Sequence, residues 1–189
     1  MLSKNLRLII GLVTVISPIL HILSDLLEVF GGAFSAEQLW INYIAFVPIP
    51  FLMIGLYAIQ RPYASWMSLT GAIFYGASFI FFAGTTLYAL VSKTEDYSTL
   101  VEELGSIYTF HGGLMVVGGL LFGAAVIRAR VLPRWTGWLL ILGVSLNLLL
   151  RLLALPDLTQ IIGSTIRNIA FIGMGITILG KRKSAQYPM

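Results

Sequence analysis

The stretch WLLILGVSLNLLL, residues 138–150, is almost continuously apolar, and so is GLLFGAAVI, residues 119–127. Strands of a membrane β-barrel alternate apolar and polar residues over about ten positions, and neither stretch does so. Such runs are typical of helices surrounded by lipid, which need roughly 20 predominantly apolar residues to cross the hydrocarbon layer. The sequence therefore predicts transmembrane α-helices.

Apolar runs of this kind recur along the whole chain. The predicted spans cover about residues 6–30, 39–60, 65–91, 106–127, 136–155 and 159–180. The composition agrees, because 58% hydrophobic residues, 11% charged residues and a mean hydropathy of +0.91 are far from the balance of a soluble domain. We predict an all-α fold, a polytopic transmembrane helix bundle with six spans, as a single membrane domain over residues 1–189.

The distribution of charge predicts the orientation of the bundle. With six spans, one side receives nine of the twelve basic residues, namely Lys4, Arg7, Arg61, Arg128, Arg130, Arg134, Lys181, Arg182 and Lys183. All eight acidic residues fall in the loops of the opposite side or in the adjoining halves of spans. Because Lys and Arg are enriched in cytoplasmic loops, both termini are predicted to be cytoplasmic.

Two local features interrupt the simple pattern. Between the third and fourth spans, Tyr97, Leu100, Val101 and Leu104 recur at helical spacing opposite acidic residues, which predicts a short helix on the membrane surface. In the second span, Pro48 and Pro50 remove backbone donors and predict a bend. The bend is either a fixed kink or a gating hinge.

Polar residues inside the spans concentrate in the halves that adjoin the acidic loops. On the first helix, Ser17, His21, Ser24 and Glu28 share one face with Asp25 beside them. The later helices add Asn42, Tyr43, Thr85, Thr86, Tyr88, Tyr108, His111, Asn147, Arg151, Ser164, Arg167 and Asn168. Buried polar groups in a membrane are costly unless they are paired or hydrated. We predict a polar pocket whose ligand-binding residues are Asp25, Asn42, Tyr43, Tyr88, His111, Asn147, Arg151, Arg167 and Asn168.

Three functions are compatible with this pattern. The pocket is predicted to bind or transport a polar, anionic or amphipathic small molecule, with Arg151 and Arg167 attracting an anionic group. An alternative is a membrane-embedded acid-base enzyme for a lipid or isoprenoid substrate, with His21, Asp25 and Glu28 as catalytic candidates. A further alternative is a scaffold or assembly subunit, in which Asp25 or Glu28 pairs with Arg151 or Arg167 and the other polar groups join helices.

No cofactor is predicted. The chain has no cysteine, so thiolate metal sites and disulfides are excluded. His21, Asp25 and His111 are weak metal-ligand candidates, and a haem between the two histidines has no other support. The expected partners are the lipid bilayer and a small-molecule or lipid ligand, with no nucleic acid; assembly into an oligomer is left open.

The stretch HGGLMVVGGLLFGAAVIRARVLPRWTGWLLILG, residues 111–143, contains a helix rich in small residues, a basic turn and a glycine-containing helix. The turn runs from Arg128 or Arg130 through Leu132 and Pro133 to Arg134. This arrangement resembles a family of small uncharacterised bacterial multi-pass membrane proteins with a basic Leu-Pro-Arg cytoplasmic turn. The resemblance implies a multi-pass protein of a bacterial inner membrane and carries no activity with it.

Overall fold

The computed structural model describes residues 2–31, 34–153 and 155–184, apart from the side chains of residues 157 and 181–184. From the sequence, Lys181, Arg182 and Lys183 are predicted to lie on the basic side, and their side chains are outside the part of the chain that the structure describes. The helices are α1 (Lys4–Gly31), α2 (Ala36–Phe46), α3 (Ile49–Gln60), α4 (Trp66–Ser92), α5 (Tyr97–Ala129), α6 (Arg134–Leu152) and α7 (Gln160–Ser184), with a 3₁₀ turn at Asp157–Thr159. No strand occurs in these ranges.

Six helical segments of the described chain are long and apolar enough to cross a membrane, with α2 and α3 together forming the second as Ala36–Gln60. Large apolar side chains point away from the bundle, including Phe51, Val91 and Ile176, which are 77%, 83% and 60% exposed. Such side chains are stable outside only in contact with lipid. The predicted all-α fold with six spans is confirmed, and the chain is a multi-pass membrane protein.

The helices surround a common interior. The most extensive contacts join α1 to α2, α3 and α7, α4 to α2, α3 and α5, and α6 to α5 and α7. The chain therefore closes into a ring in which the last helix returns to the first. We call the half of the bundle nearest Gly31, Ala36, Ser92, Tyr97, Leu152 and Gln160 the acidic half, and the opposite half the basic half.

The basic half is sealed by close helix contacts. A Cβ atom added at Gly118 of α5 would lie 2.5 Å from the backbone nitrogen of Tyr75 on α4. One added at Gly137 of α6 would lie 2.7 Å from the carbonyl oxygen of Gly123 on α5. Below the cavity described next, Tyr75 and Phe122 are almost wholly buried. Small residues that let helix backbones touch are the usual means of joining helices in lipid.

The second span is broken, as its prolines predict. α2 ends at Phe46 and α3 begins at Ile49, with Pro48 at the start of α3. Because neither Pro48 nor Pro50 has an amide hydrogen, the helical hydrogen-bond ladder cannot continue through this point. The hydroxyl of Ser17 on α1 donates to the carbonyl oxygen of Ala45 beside the break. A neighbouring helix thereby satisfies part of the interrupted backbone.

The segment before the fourth span is helical but not separate. Asp96 caps α5 by accepting a hydrogen bond from the amide of Thr99 at 2.7 Å, and this bond holds the pKa of its carboxyl below the ordinary value. Gly105 has φ +54° and ψ −132°, which interrupts the helix between residues 97–104 and the longer part that follows. Residues 97–104 are helical as the first part of α5, and a short helix on the membrane surface stays a prediction.

Candidate ligand cavity

A cavity of about 420 Å³ occupies the acidic half of the bundle. It is lined by polar side chains from the ends of α1, α2, α4, α5, α6 and α7, and by aromatic side chains deeper in the bundle. Its polar lining comprises His21, Asp25, Glu28, Gln38, Asn42, Thr85, Thr86, Tyr97, Tyr108, Thr109, Asn147, Arg151, Gln160, Ser164 and Arg167. Consequently the polar ends of helices that are distant in sequence meet around one space.

The polar face of α1 has two different uses. Ser17 donates to Ala45, and Ser24 donates to the carbonyl oxygen of Gln38 at 3.1 Å. Both serines join α1 to α2 and do not line the cavity. His21 and Asp25 lie between and beside them on the same face, and both line the cavity. One helical stripe thus supplies both interhelical hydrogen bonds and cavity surface.

His21 and Asp25 form an ordered pair. Nε2 of His21 lies 3.7 Å from Oδ1 of Asp25, and the Ser164 hydroxyl donates to Oδ2 of Asp25 at 2.6 Å. The imidazole ring meets Phe46 edge-on at 4.8 Å between centroids, and Asn168 is a buried neighbour of His21. The Asp25 carboxylate is therefore hydrogen-bonded to α7 and lies beside the imidazole of its own helix.

Arg167 lies in the cavity wall and is only 5% exposed. Its Nη1 donates to the thioether sulfur of Met115 at 2.6 Å, and its Nε has no hydrogen-bond partner among the described residues. No carboxylate oxygen of a described side chain lies within 4.0 Å of the guanidinium. The pairing of Arg167 with Asp25 or Glu28, one of those considered in the scaffold alternative, is not formed within ion-pair distance among the described side chains, and Asp25 accepts a hydrogen bond from Ser164 instead. A buried cation retains unused hydrogen-bonding capacity.

Two glycines make room for the polar side chains of α6 and α7. A Cβ atom at Gly143 would lie 2.6 Å from Cγ of Arg167, and one at Gly163 would lie 2.6 Å from Cγ of Asn147. Nδ2 of Asn147 donates to the carbonyl oxygen of Gln160 at 2.9 Å. Close contact between α6 and α7 thereby fixes where Arg167 and Asn147 enter the cavity.

The mouth carries charges of both signs. Glu28 accepts a hydrogen bond from Nε2 of Gln38 at 3.4 Å. The guanidinium carbon of Arg151 lies 5.7 Å from the centre of the Tyr97 ring, a cation–π distance. These contacts place Glu28 on the α1–α2 side of the mouth and Arg151 on the α5–α6 side.

The deeper walls are aromatic, which the polar pattern of the sequence did not indicate. Phe46 and Phe79 meet at 5.1 Å between ring centroids, Phe79 and Phe82 at 5.6 Å, and Phe82 and Tyr108 at 5.5 Å. A connected aromatic surface therefore extends from α2 through α4 to α5. The signal available in the sequence was the helical spacing of Phe79 and Phe82, which core packing explains equally well.

Four of the predicted ligand-binding residues do not line the cavity, namely Tyr43, Tyr88, His111 and Asn168. His111 stacks on Phe81 with ring centroids 3.9 Å apart and has Nδ1 2.8 Å from the carbonyl oxygen of Ile107. Tyr88 is 40% exposed on the outside of α4, and Tyr43 packs against Trp40. Asn168 is buried behind His21. Asp25, Asn42, Asn147, Arg151 and Arg167 do line the cavity, as do His21 and Glu28.

The weak metal candidates are not gathered at one point. His111 lies against Phe81 and outside the cavity lining, whereas His21 and Asp25 are inside it. Across residues 2–31, 34–153 and 155–184, no three His, Cys, Asp or Glu side chains are grouped so that they could hold a metal ion. The combination of His21, Asp25 and His111 is therefore not assembled.

Comparison with known proteins adds no assignment: no family model matches the chain, and neither a curated protein nor a solved structure matches it. The basic turn that carries the sequence resemblance is present, since α5 ends at Ala129, Arg130 follows it with φ +56°, and α6 begins at Arg134 after Pro133. Function must therefore be argued from the residues around the cavity.

Proposed function

We propose that this protein binds or transports an anionic amphipathic small molecule in the cavity of its acidic half. Arg167 carries the proposal, because its guanidinium is buried at the cavity, its Nε is unpartnered and no described carboxylate is within ion-pair distance. An isolated charge at membrane depth is costly. An anionic group of a ligand would accept hydrogen bonds from Arg167 and offset that cost.

The other polar groups support an anion over a cation. Asp25 already accepts a hydrogen bond from Ser164 and has His21 3.7 Å away, and Glu28 accepts a hydrogen bond from Gln38, so both carboxylates of the lining have neighbouring donors within the protein. Arg151 at the mouth adds a second positive charge on the route to Arg167. Among the unpartnered side-chain atoms of the described lining, Nε of Arg167 belongs to a charged group, and the others are amide oxygens of Gln38, Asn42 and Asn147.

The aromatic walls of the cavity favour a ligand that has an apolar portion as well as a charged group. The aromatic surface of Phe46, Phe79 and Phe82 would contact an apolar portion while Arg167 holds the charged group. Small-molecule sites usually enclose roughly 300–1,000 Å³ and are mostly apolar with a few placed polar groups. A cavity of about 420 Å³ falls within this range.

The charge distribution supports a particular membrane and a particular orientation of the bundle. We place the protein in an inner membrane with both termini and the basic half on the cytoplasmic side, because Arg61, Arg128, Arg130 and Arg134 all lie at that end. The cavity then opens toward the outside. Residues 97–104 would lie at the outer membrane surface, beside the mouth.

A second candidate is acid-base catalysis by His21 and Asp25, which is favoured by their 3.7 Å separation and by the hydrogen bond from Ser164 that orients Asp25. Proton transfer requires such an ordered pair next to a reacting atom. Binding requires only the cavity, so we retain it as the first proposal.

The test uses purified protein and two probes, dodecyl phosphate and the uncharged dodecanol. Replacing Arg167 by glutamine, Arg167→Gln, should weaken binding of dodecyl phosphate by roughly 1.5–3 kcal/mol, about ten- to a hundredfold, because a charge-assisted hydrogen bond is lost. Binding of dodecanol should change little. Calorimetric titration of both probes gives the affinities.

Arg128→Gln is the matched control, because Arg128 also contacts a methionine sulfur, that of Met67 at 3.3 Å, but is exposed in the basic half. This variant should bind dodecyl phosphate as the unchanged protein does. Equal affinity of Arg167→Gln and the unchanged protein would remove the support for an anion site and favour a scaffold role.

A further inference from the structure

The interface between α5 and α6 closes in the basic half and separates in the acidic half. A Cβ atom at Gly119 would lie 2.6 Å from Val144, so the two helices touch there. Two turns nearer the acidic end of α5, a Cβ atom at Gly112 or Gly113 would find no atom within 4 Å. The same two helices therefore diverge toward the cavity.

Residues at this separation line the cavity and are also open to the outside. Thr109 and Gly113 of α5 and Leu148 and Leu152 of α6 belong to the cavity lining and are all exposed, Leu148 by 43% and Leu152 by 73%. Within the described cavity lining, every exposed residue is on α5 or α6, these four together with Arg151, which indicates that the wall is thinnest between these two helices. We call this place the α5–α6 opening.

The other helix pairs of the acidic half are joined by specific contacts. They are Ser24 with Gln38 between α1 and α2, Leu39 with Ala89 between α2 and α4, Phe81 with His111 between α4 and α5, Asn147 with Gln160 between α6 and α7, and Asp25 with Ser164 between α1 and α7. The α5–α6 opening is bounded above by Arg151 over Tyr97 and below by Gly119 against Val144. It is thus a lateral gap with a defined rim.

The surface around the opening is apolar. Phe110 of α5, next to Thr109 in the chain, is 63% exposed, and Leu149 of α6, next to Leu148, is 52% exposed. Exposed apolar side chains on a membrane-spanning bundle contact lipid chains. The opening therefore leads from the cavity into the hydrocarbon layer and not into water.

Resting on the function proposed above, we propose that the ligand is a membrane lipid with an anionic headgroup, which passes laterally through the α5–α6 opening. The headgroup reaches Arg167, whose neighbour Met115 lies on the same helix as Gly113. An acyl chain then lies between Gly113 and Leu148, with its remainder in the surrounding leaflet. A water-soluble anion would not need a gap at this depth.

The test is photolabelling in nanodiscs that contain a diazirine-bearing phosphatidic acid, with mass-spectrometric mapping of labelled residues. Labels are expected on α5 around residues 109–113 and on α6 around residues 148–152. A diazirine-bearing diacylglycerol, which lacks the anionic headgroup, should label these residues much less.

Two variants block the opening from opposite sides, Gly113→Trp on α5 and Leu148→Trp on α6. Each should lose most labelling of both segments. Gly84→Trp is the matched control, because Gly84 is likewise exposed in a helix with no atom within 4 Å of an added Cβ and does not line the cavity. It should label as the unchanged protein does, and an unchanged circular dichroism spectrum confirms that each variant is folded.

The results separate the route from the site. If both blocking variants label as strongly as the unchanged protein, or if the labels map to another helix pair, the lateral route is wrong. If the lateral route is wrong but Arg167→Gln still loses binding of dodecyl phosphate, the proposed anion site is supported independently of the route. Inorganic phosphate that prevents labelling and binds equally well to the blocked variants would also overturn the lateral route, because it would show access from water.

Discussion

At the residue scale, His21 and Asp25 distinguish binding from catalysis. The pair lies at the cavity, and Ser164 orients Asp25 by donating a hydrogen bond to its carboxylate. An amide replacement preserves the approximate shape of either side chain but cannot exchange a proton. The two functions therefore make different predictions for the same substitutions.

If the cavity only binds an anion, Asp25→Asn should not lower the affinity for dodecyl phosphate, because it removes a negative charge from the cavity lining, whereas His21→Gln should lower it by roughly 1–3 kcal/mol if His21 donates a hydrogen bond to the ligand. If the pair transfers protons, affinity should persist while conversion of a bound compound falls about a hundredfold or more. Mass spectrometry of lipids carried through purification provides the natural ligand for the second measurement. Conversion that is lost in Asp25→Asn at unchanged affinity would favour the enzyme. No effect on either quantity would mean that both residues serve only to join helices.

Particular residues show which features of the cavity could be predicted from the sequence and which could not. The i, i+4, i+7 pattern of α1 correctly places His21 and Asp25 on one inward face. On α5, however, Thr109 and Gly113 line the cavity while His111 lies beside Phe81. In the acidic half, α5 has no continuous stripe of polar residues. The rotation of α5 about its own axis could therefore not be determined from the spacing of its polar residues. The partner of Arg167 depends on such rotations and could not be determined either.

At the element scale, the contact between α4 and α5 depends on glycine. A Cβ atom at Gly118 would lie 2.5 Å from the backbone nitrogen of Tyr75, and backbone atoms cannot move aside as a flexible side chain can. We expect Gly118→Ala to force the two helices apart and to lower the free energy of unfolding by about 1–3 kcal/mol. Unfolding in mixed micelles with increasing SDS measures this change.

Gly84→Ala is the control for that substitution, because Gly84 lies on the same α4 helix with no atom within 4 Å of an added Cβ. Its unfolding should be nearly unchanged. Unfolding of Gly118→Ala at the same SDS fraction as the unchanged protein would show that the α4–α5 contact does not require glycine.

The helices themselves were predictable to different degrees. Hydropathy located all six spans, and Pro48 and Pro50 located the break between α2 and α3. From the sequence, residues 97–104 and the span from about 106 are predicted as two separate helices, and the structure joins them in α5 with a kink at Gly105. The spacing of apolar residues indicated helix on both sides of Gly105 but not that the two parts are continuous.

At the scale of the whole molecule, the charge asymmetry predicts one orientation. Cysteines introduced by Glu95→Cys in the acidic half and by Arg61→Cys or Arg130→Cys in the basic half occupy exposed positions of a chain that has no cysteine. In intact bacterial cells, an impermeant maleimide should label position 95 and leave positions 61 and 130 unlabelled. After the cells are opened, all three should react, which controls for accessibility. Labelling of position 130 in intact cells would reverse the orientation and place the cavity toward the cytoplasm.

The glycine-mediated contacts of the basic half have a thermodynamic consequence. When helices of this bundle separate within a bilayer, the surfaces around Gly118, Gly123 and Gly137 become exposed to lipid chains and not to water. The large heat-capacity increase that accompanies unfolding of soluble proteins comes from hydration of apolar surface. Helix separation in lipid lacks that hydration. Its enthalpy should therefore vary little with temperature, and cooling should not weaken the bundle in the way that leads soluble domains to cold denaturation.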